Sequence, residues 1–392
     1  MTPPNSDSIW SRTFALLCLA QVFGYAQHFM LQPALPLYIT QLGGTPFTVG
    51  LVLACFAVTS VIVRPLMGHW ADRCGEAQVM LYGMLIQGGS VLICLFPSTG
   101  ITMLANGLRG IGWAALNAGG YSMLAVIAPL ARRGEAAGYY SGAQNSASIF
   151  FPAVALWLID APFGGYAAVF LSAAGLAFAG SGLARVLSNS VARVRALPPH
   201  SFTPPFRDLF TLVERDVLLP SSLHFFLQLT MPAITSFIVL YASAMGISGI
   251  GSFYVVSGIT SMLARPLLGK VSDKLGRARS LAVAFVFQAV ALSAIVTVSS
   301  LSALLICGMI YVLTVAIGSS TTLALAMERA NPEHRGRSMA SFSIAYPLSY
   351  GVGGLVAGAA VDLFGFGWMY LIMAGVSLLG LFITAASWSK IG

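Results

Sequence analysis

Along its 392 residues the chain alternates long apolar runs with short polar links. The runs fall near 12–38, 46–69, 77–97, 99–126, 136–160, 163–187, 216–242, 248–268, 279–299, 301–327, 337–361 and 366–388. A helix needs about 20 apolar residues to cross a hydrocarbon core, and these lengths fit that requirement. Only one link is substantial, 188–215, with Arg193, Arg195, Pro198, Pro199, Pro204, Pro205 and Asp208. The pattern predicts an all-α integral membrane protein of twelve transmembrane helices, six in 1–187, a linker over 188–215 and six in 216–392.

The two halves repeat each other. Arg64-Pro65-Leu66-Met67-Gly68-His69-Trp70-Ala71-Asp72-Arg73-Cys74-Gly75 returns as Arg265-Pro266-Leu267-Leu268-Gly269-Lys270-Val271-Ser272-Asp273-Lys274-Leu275-Gly276, each identical residue displaced by 201 positions. Arg133-Gly134 matches Arg335-Gly336 at 202, Asp160 and Gly165 match Asp362 and Gly367 at 202, and Pro33-Ala34 matches Pro232-Ala233 at 199. A near-constant offset across the whole length indicates a parallel duplication, and hence two pseudo-symmetric six-helix bundles.

Composition sharpens the class. Charged residues are 8% and apolar residues 57% of the chain, against roughly 25% and 45–50% in a soluble domain. The net charge of +8 would suit nucleic acid or anionic lipid, but its placement decides otherwise. Nineteen of the twenty Lys and Arg residues are assigned to the chain ends or to alternate links, among them Arg64, Arg73, Arg132, Arg133, Lys270 and Lys274. Links near 39–47, 98–100, 161–165, 243–248, 299–301 and 362–367 hold none. By the positive-inside rule both termini are cytoplasmic, in a multi-pass protein of the cell membrane that does not bind nucleic acid. Cys18, Cys55, Cys74, Cys94 and Cys307 lack any CxxC spacing, so neither disulfides nor metal sites are expected. The first apolar run reads as a span, not a cleavable leader.

The doubled stretch, a loop with Gly, Asp and a cation at fixed spacing between two spans, resembles the loop 2–3 signature of the major facilitator superfamily. The resemblance implies that superfamily's fold, normally a monomer, and a latch on the cytoplasmic side. Gly68 and Gly269 would let helix ends approach closely, with Arg73 and Lys274 alongside. Asp72 would accept hydrogen bonds from the helix start near 336–339, and Asp273 from that near 134–137, where the helix dipole favours an anion. After Gly75 the first copy has Glu76-Ala77 where basic residues are usual, whereas Arg277 is retained in the second.

Arg109 is the one cation outside this topology, about ten residues into the fourth run. A charge there costs at least ~2.5–3.5 kcal/mol on insertion scales and is a functional group by default. Its context, Leu108-Arg109-Gly110-Ile111-Gly112-Trp113-Ala114-Ala115, resembles the fourth span of proton-coupled drug and metabolite exporters. None of the twelve acidic residues falls centrally in a run. A cavity built around Arg109 is therefore cationic or neutral and favours an anionic or zwitterionic solute. A proton carrier would have to be another group, and His28 titrates in the right range. Gln21, Tyr25, His28 and Gln32 follow spacings of four, three and four, one face of a helix. His224 and Gln228 form a smaller version in the seventh run, and Asn106, Asn117, Tyr121, Gln144 and Asn145 are further cavity candidates. The fifth run lacks the Gly-Pro usual in drug/proton exporters: it has Gly138, Gly142 and Ser146, with Pro152 later.

Motifs for ATP use, hydrolase chemistry or metal binding are missing from the sequence, so neither an enzyme nor a bound cofactor is expected. The expected activity is secondary active transport by alternating access, exporting a small organic solute in exchange for protons. The same architecture permits proton-coupled import of an organic acid, and a receptor or scaffold that binds without transporting is the reading of another class.

Overall fold

The computed structural model of the protein describes residues 9–129, 132–192, 214–330 and 335–391. Each of the twelve apolar runs is helical. The first six are α1 (Arg12–Gln41), α2 (Pro46–Cys74), α3 (Glu76–Ile93), α4 (Thr99–Ile127), α5 (Arg133–Asp160) and α6 (Tyr166–Ala192). The seventh is broken into α7 (Leu218–Leu229), α8 (Met231–Thr235) and α9 (Ile238–Ala244). There follow α10 (Gly251–Leu275), α11 (Arg277–Ile295), α12 (Leu301–Arg329), α13 (Arg335–Ser343) with α14 (Ala345–Phe364) for the eleventh run, α15 (Phe366–Ala386) and the terminal turn α16 (Trp388–Ile391). Among the described residues ten helices are long and apolar enough to cross a membrane; the third run is the 18-residue α3, and the eighth supplies the shorter apolar stretch Gly251–Ala264.

The doubled stretch is not the loop its sequence suggests. The helix α2 runs on through Cys74 and α10 through Leu275, so the Arg-Pro-Leu stretch forms their final turns. One residue separates each from the next helix: Gly75 at φ 97° and Gly276 at φ 83°. That left-handed conformation is open to glycine and strained for any residue with a Cβ. Arg64, counted above as a link cation, therefore lies inside α2. A Cβ at Gly68 would meet nothing within 4 Å among the described residues. The side chains of Asp72 and Asp273, and the surroundings of Gly269, lie outside the described residues; Arg73 and Lys274 are exposed.

The repeats also shift in register. Gly165 (φ 96°) directly precedes α6, and Gly365 (φ 85°) directly precedes α15. Gly365, not Gly367, is thus the conformational counterpart of Gly165.

The chain forms two compact units. The first comprises residues 1–31 and 59–210, the second 32–58 and 211–392. Within the first, α3 packs on α4 and α6. A Cβ on Gly112 would lie 2.5 Å from the Gly83 carbonyl oxygen, and one on Gly83 2.8 Å from that of Gly112. Helices in lipid gain attraction from such close backbone approach rather than from excluding water. Within the second unit, an added Cβ on Gly50 of α2 would overlap the Gly354 carbonyl of α14, and Asp362 Oδ2 accepts from Phe47 N–H at 3.1 Å. That carboxylate caps the start of α2, where the helix dipole favours negative charge.

The break in the seventh run follows from Pro232, which lacks an N–H and whose ring clashes with the carbonyl four residues back. In an apolar surrounding the exposed backbone and side-chain groups need partners. Tyrosine hydroxyls supply them: Tyr370 donates to Ala233 O at 3.3 Å and Tyr254 to Thr235 O at 3.0 Å. Tyr350 pairs with Ser236 Oγ at 3.0 Å and Tyr311 with Thr230 Oγ1 at 2.8 Å. The matching Pro33 leaves α1 a single helix.

Gly112→Val is expected to lower the melting temperature in detergent, with an overpacking cost of about 1–3 kcal/mol. Gly89→Ala on the same α3, where a Cβ meets nothing within 4 Å, should leave it unchanged. Equal melting of the two variants would refute the close-packing assignment.

Candidate functional site

The polar face of α1 meets the polar face of α4 inside the first unit. Residues 106, 109, 113 and 117 follow spacings of three, four and four, so they share one side of α4. Arg109 is 3% exposed. It donates through Nη1 to the Asn106 side-chain oxygen, and Nη2 lies 3.3 Å from His28 Nδ1. Guanidinium nitrogens are donors only, so Nδ1 accepts and the neutral imidazole carries its proton on Nε2. The His28 ring stacks on Trp113 with centroids 4.2 Å apart and planes at 25°. This fixes the imidazole between an aromatic plate and a guanidinium.

One turn along α1, Tyr25 donates to Asn117 Oδ1 at 2.7 Å and its ring lies 4.6 Å from that of Trp113. Asn117 in turn donates to the Trp113 carbonyl at 2.9 Å. Another turn on, Gln21 Nε2 donates to Leu116 O at 3.3 Å and Gln21 Oε1 accepts from Gln144 Nε2 at 3.1 Å. Gln144 Oε1 lies 3.5 Å from the Tyr121 hydroxyl, which joins α5 to the same network. Gly120 leaves the space that the Gln21 amide and the Tyr140 hydroxyl occupy.

Ten of the predicted polar residues lie in or near α1, α4 and α5, and eight are joined here: Gln21, Tyr25, His28, Asn106, Arg109, Asn117, Tyr121 and Gln144. Asn145 is not, since it bonds back to Ser141 O of its own helix at 2.7 Å. Gln32 belongs to the second unit, and its amide nitrogen finds no hydrogen-bond partner among the described residues. His224 and Gln228 lie in the second unit on α7. There His224 Nδ1 is 2.9 Å from Thr322 Oγ1, and Gln228 Nε2 donates to Ser319 Oγ at 3.3 Å.

Sequence reasoning missed three contributors. Trp113 stood in the quoted context of Arg109, and its i+4 spacing from Arg109 was the available signal. Gln27 Nε2 donates to Gln87 Oε1 behind the cluster, both fully buried; two glutamines on separate apolar helices were the signal for that pair. Among the described residues no cluster of three or more His, Cys, Asp or Glu could hold a metal.

The sequence pattern of the Major Facilitator Superfamily matches residues 17–322 and again 255–389. The chain belongs to this superfamily. Membership places it among membrane transporters and apart from enzymes. Multidrug resistance protein 1 of Bacillus subtilis (strain 168) is 31% identical over 129 residues, 33% of each chain. Quinolone resistance protein NorA of Staphylococcus aureus (strain Mu50) is 28% identical over 123 residues, 31% of this chain and 32% of that one. The chain thus spans about a third of the length of these relatives in alignment. The nucleoside transporter NupG superposes with TM-score 0.72 at 13% identity, covering 96% of this chain and 99% of that one. A POT family transporter in complex with a thioalcohol-conjugated peptide superposes with TM-score 0.76 at 13% identity, covering 97% and 96%. At such identities the two structures share the fold alone with this superfamily member.

Tyr25→Phe and Asn117→Ala are each expected to cost about 0.5–1.5 kcal/mol, the net worth of one intramolecular hydrogen bond. The double variant should lose less than the sum of the two. Strict additivity in detergent melting would show that the Tyr25–Asn117 bond is not made.

Proposed function

We propose that the protein is a secondary active transporter that exports a small anionic or zwitterionic organic solute in exchange for protons. It works by alternating access in the cell membrane, as a monomer with both termini cytoplasmic. The observation that carries this reading is the Arg109 guanidinium held against Asn106 and His28 in a membrane-spanning helix. A fixed cation in apolar surroundings is worth far more to an anion than it would be in water. The relatives named for drug and quinolone resistance support the outward direction.

The Arg109–His28 contact relates proton binding to solute binding. A proton arriving at Nδ1 turns the acceptor into a donor, and the two groups repel. The contact opens, and the site gains a second positive charge. By linkage, a simple anion then binds more tightly when His28 is protonated, and the proton binds more tightly beside the anion. Such a pair moves together, which is the arrangement of an importer of organic acids and the second reading of this site. A zwitterion whose ammonium faces His28 reverses the sign: proton and solute exclude each other, as exchange requires.

Cells expressing wild type or Arg109→Gln at matched membrane levels are compared by intracellular and extracellular metabolite profiles. A zwitterionic solute enriched outside only with the wild type is the expected result, and a simple anion enriched inside would establish the importer. Equal transport by both proteins would make Arg109 structural. For the solute so found, affinity should fall as pH drops if export is by exchange and rise if uptake is coupled. His28→Asn should flatten either slope, and an unchanged slope would remove His28 from coupling.

A further inference from the structure

His28 keeps two contacts that respond to a proton in opposite ways. Its ring stacks on Trp113, with centroids 4.2 Å apart and planes at 25°, and its Nδ1 lies 3.3 Å from Arg109 Nη2. A neutral imidazole accepts from the guanidinium. An imidazolium cannot, and the two cations repel. The face of an indole attracts a cation, better than any other side-chain ring and most strongly away from water. His28 and Trp113 are both buried. Protonation therefore weakens one contact and strengthens the other.

Neither α1 nor α4 contains Asp or Glu, so these helices offer an imidazolium no carboxylate. Facing the ring are Arg109 from α4 and, one turn away on α1, the Tyr25 phenol, with the Phe29 ring at 5.7 Å. On α3 the Gln87 amide meets the adjacent Gln27, and the Cys94 thiol turns to Ser90 O at 3.9 Å. The indole is the better anchored of the two partners. The Tyr25 ring lies 4.6 Å from it, Tyr25 is tied to Asn117 Oδ1 at 2.7 Å, and Asn117 donates to the Trp113 carbonyl at 2.9 Å. Arg109 reaches His28 through a long flexible side chain, and its Nη1 is held separately by Asn106.

We propose that Trp113 is a positioning residue of the proton step: it retains the protonated His28 ring in the stack, so that protonation releases Arg109 Nη2 instead of displacing the histidine. This rests on the reading of His28 as the proton carrier and adds which group moves. The proton binds Nδ1, the Nη2–H···Nδ1 hydrogen bond is lost, and the released donor turns to the acidic group of the solute. Trp113 thereby converts the arrival of a proton into a change at Arg109.

The probe is the proton itself. Purified full-length protein is titrated from about pH 8 to about pH 5, and the His28 imidazole is followed by nitrogen NMR, assigned by its loss in His28→Asn. Trp113→Leu should lower the midpoint of His28 by about one pH unit, a tenfold loss of proton affinity, and Trp113→Phe should recover part of it. An imidazolium against an indole quenches its emission. The emission of Trp113, taken as the difference between wild type and Trp113→Phe, should therefore fall at the same midpoint, and His28→Asn should abolish the step. An unchanged midpoint in Trp113→Leu overturns the proposal. Constant Trp113 emission while His28 titrates also overturns it, since the ring would have left the stack. If Trp113→Leu does not fold, the Trp113→Phe midpoint and the wild-type emission decide alone. Should the wild-type His28 take up no proton in this range, the proton-carrier reading fails, and the role of Trp113 with it.

Discussion

A guanidinium buried in a membrane-spanning helix sets the terms for the first unit. Arg109 cannot lose its charge, so the neighbouring helices must present groups that receive its protons. Asn106 does so from one turn below on α4 and His28 from α1. Each of these is fixed in turn, His28 by its stack on Trp113 and Trp113 by its contact with Tyr25. Small residues on α4 make this arrangement possible. Gly112 brings the backbone against α3, and Gly120 admits the Gln21 side chain. The polar network and the close packing are thus two faces of one helix.

The second unit answers a different problem. Its buried polar groups, among the described residues, are hydroxyls, amides and the His224 imidazole. They gather around the broken seventh run, where Tyr254, Tyr311, Tyr350 and Tyr370 engage the groups near Pro232. Duplication supplied both halves with the same Pro-Ala pair, but only the half with these hydroxyl donors has broken its helix there. At the two proline pairs the repeats have diverged, one keeping a continuous helix and the other a break served by tyrosine hydroxyls.

Much of the fold was legible because lipid imposes a length rule on every span. Twelve apolar runs became helices, and the family suggested by the doubled stretch is the one the chain belongs to. What the sequence hid was local. Hydropathy falls where Arg64, His69 and Asp72 enter, so a helix end looked like a loop; the helix nevertheless continues through Pro65 to Cys74, and Gly75 ends it. The break at Pro232 was equally hidden, since Pro33 in the same local pair leaves α1 continuous. The polar site was legible where helical spacing collects it, as in Gln21, Tyr25 and His28. It was illegible where partners come from another helix, as with Gln27 and Gln87, because a lone glutamine in an apolar run does not name its neighbour.

The one-residue links at Gly75 and Gly276 also account for a pattern in the duplication itself. Between α2 and α3, and between α10 and α11, there is no slack: an added or deleted residue would rotate the whole following helix by about 100° about its axis. Elsewhere the repeats have drifted, to 199 at the proline pair and 202 at the Arg-Gly pair, with longer links to absorb the change. Across the doubled stretch the spacing stays at 201 from its first arginine to its last glycine. A hinge of minimal length has acted as a ruler, holding the two copies in step while their surroundings lost register.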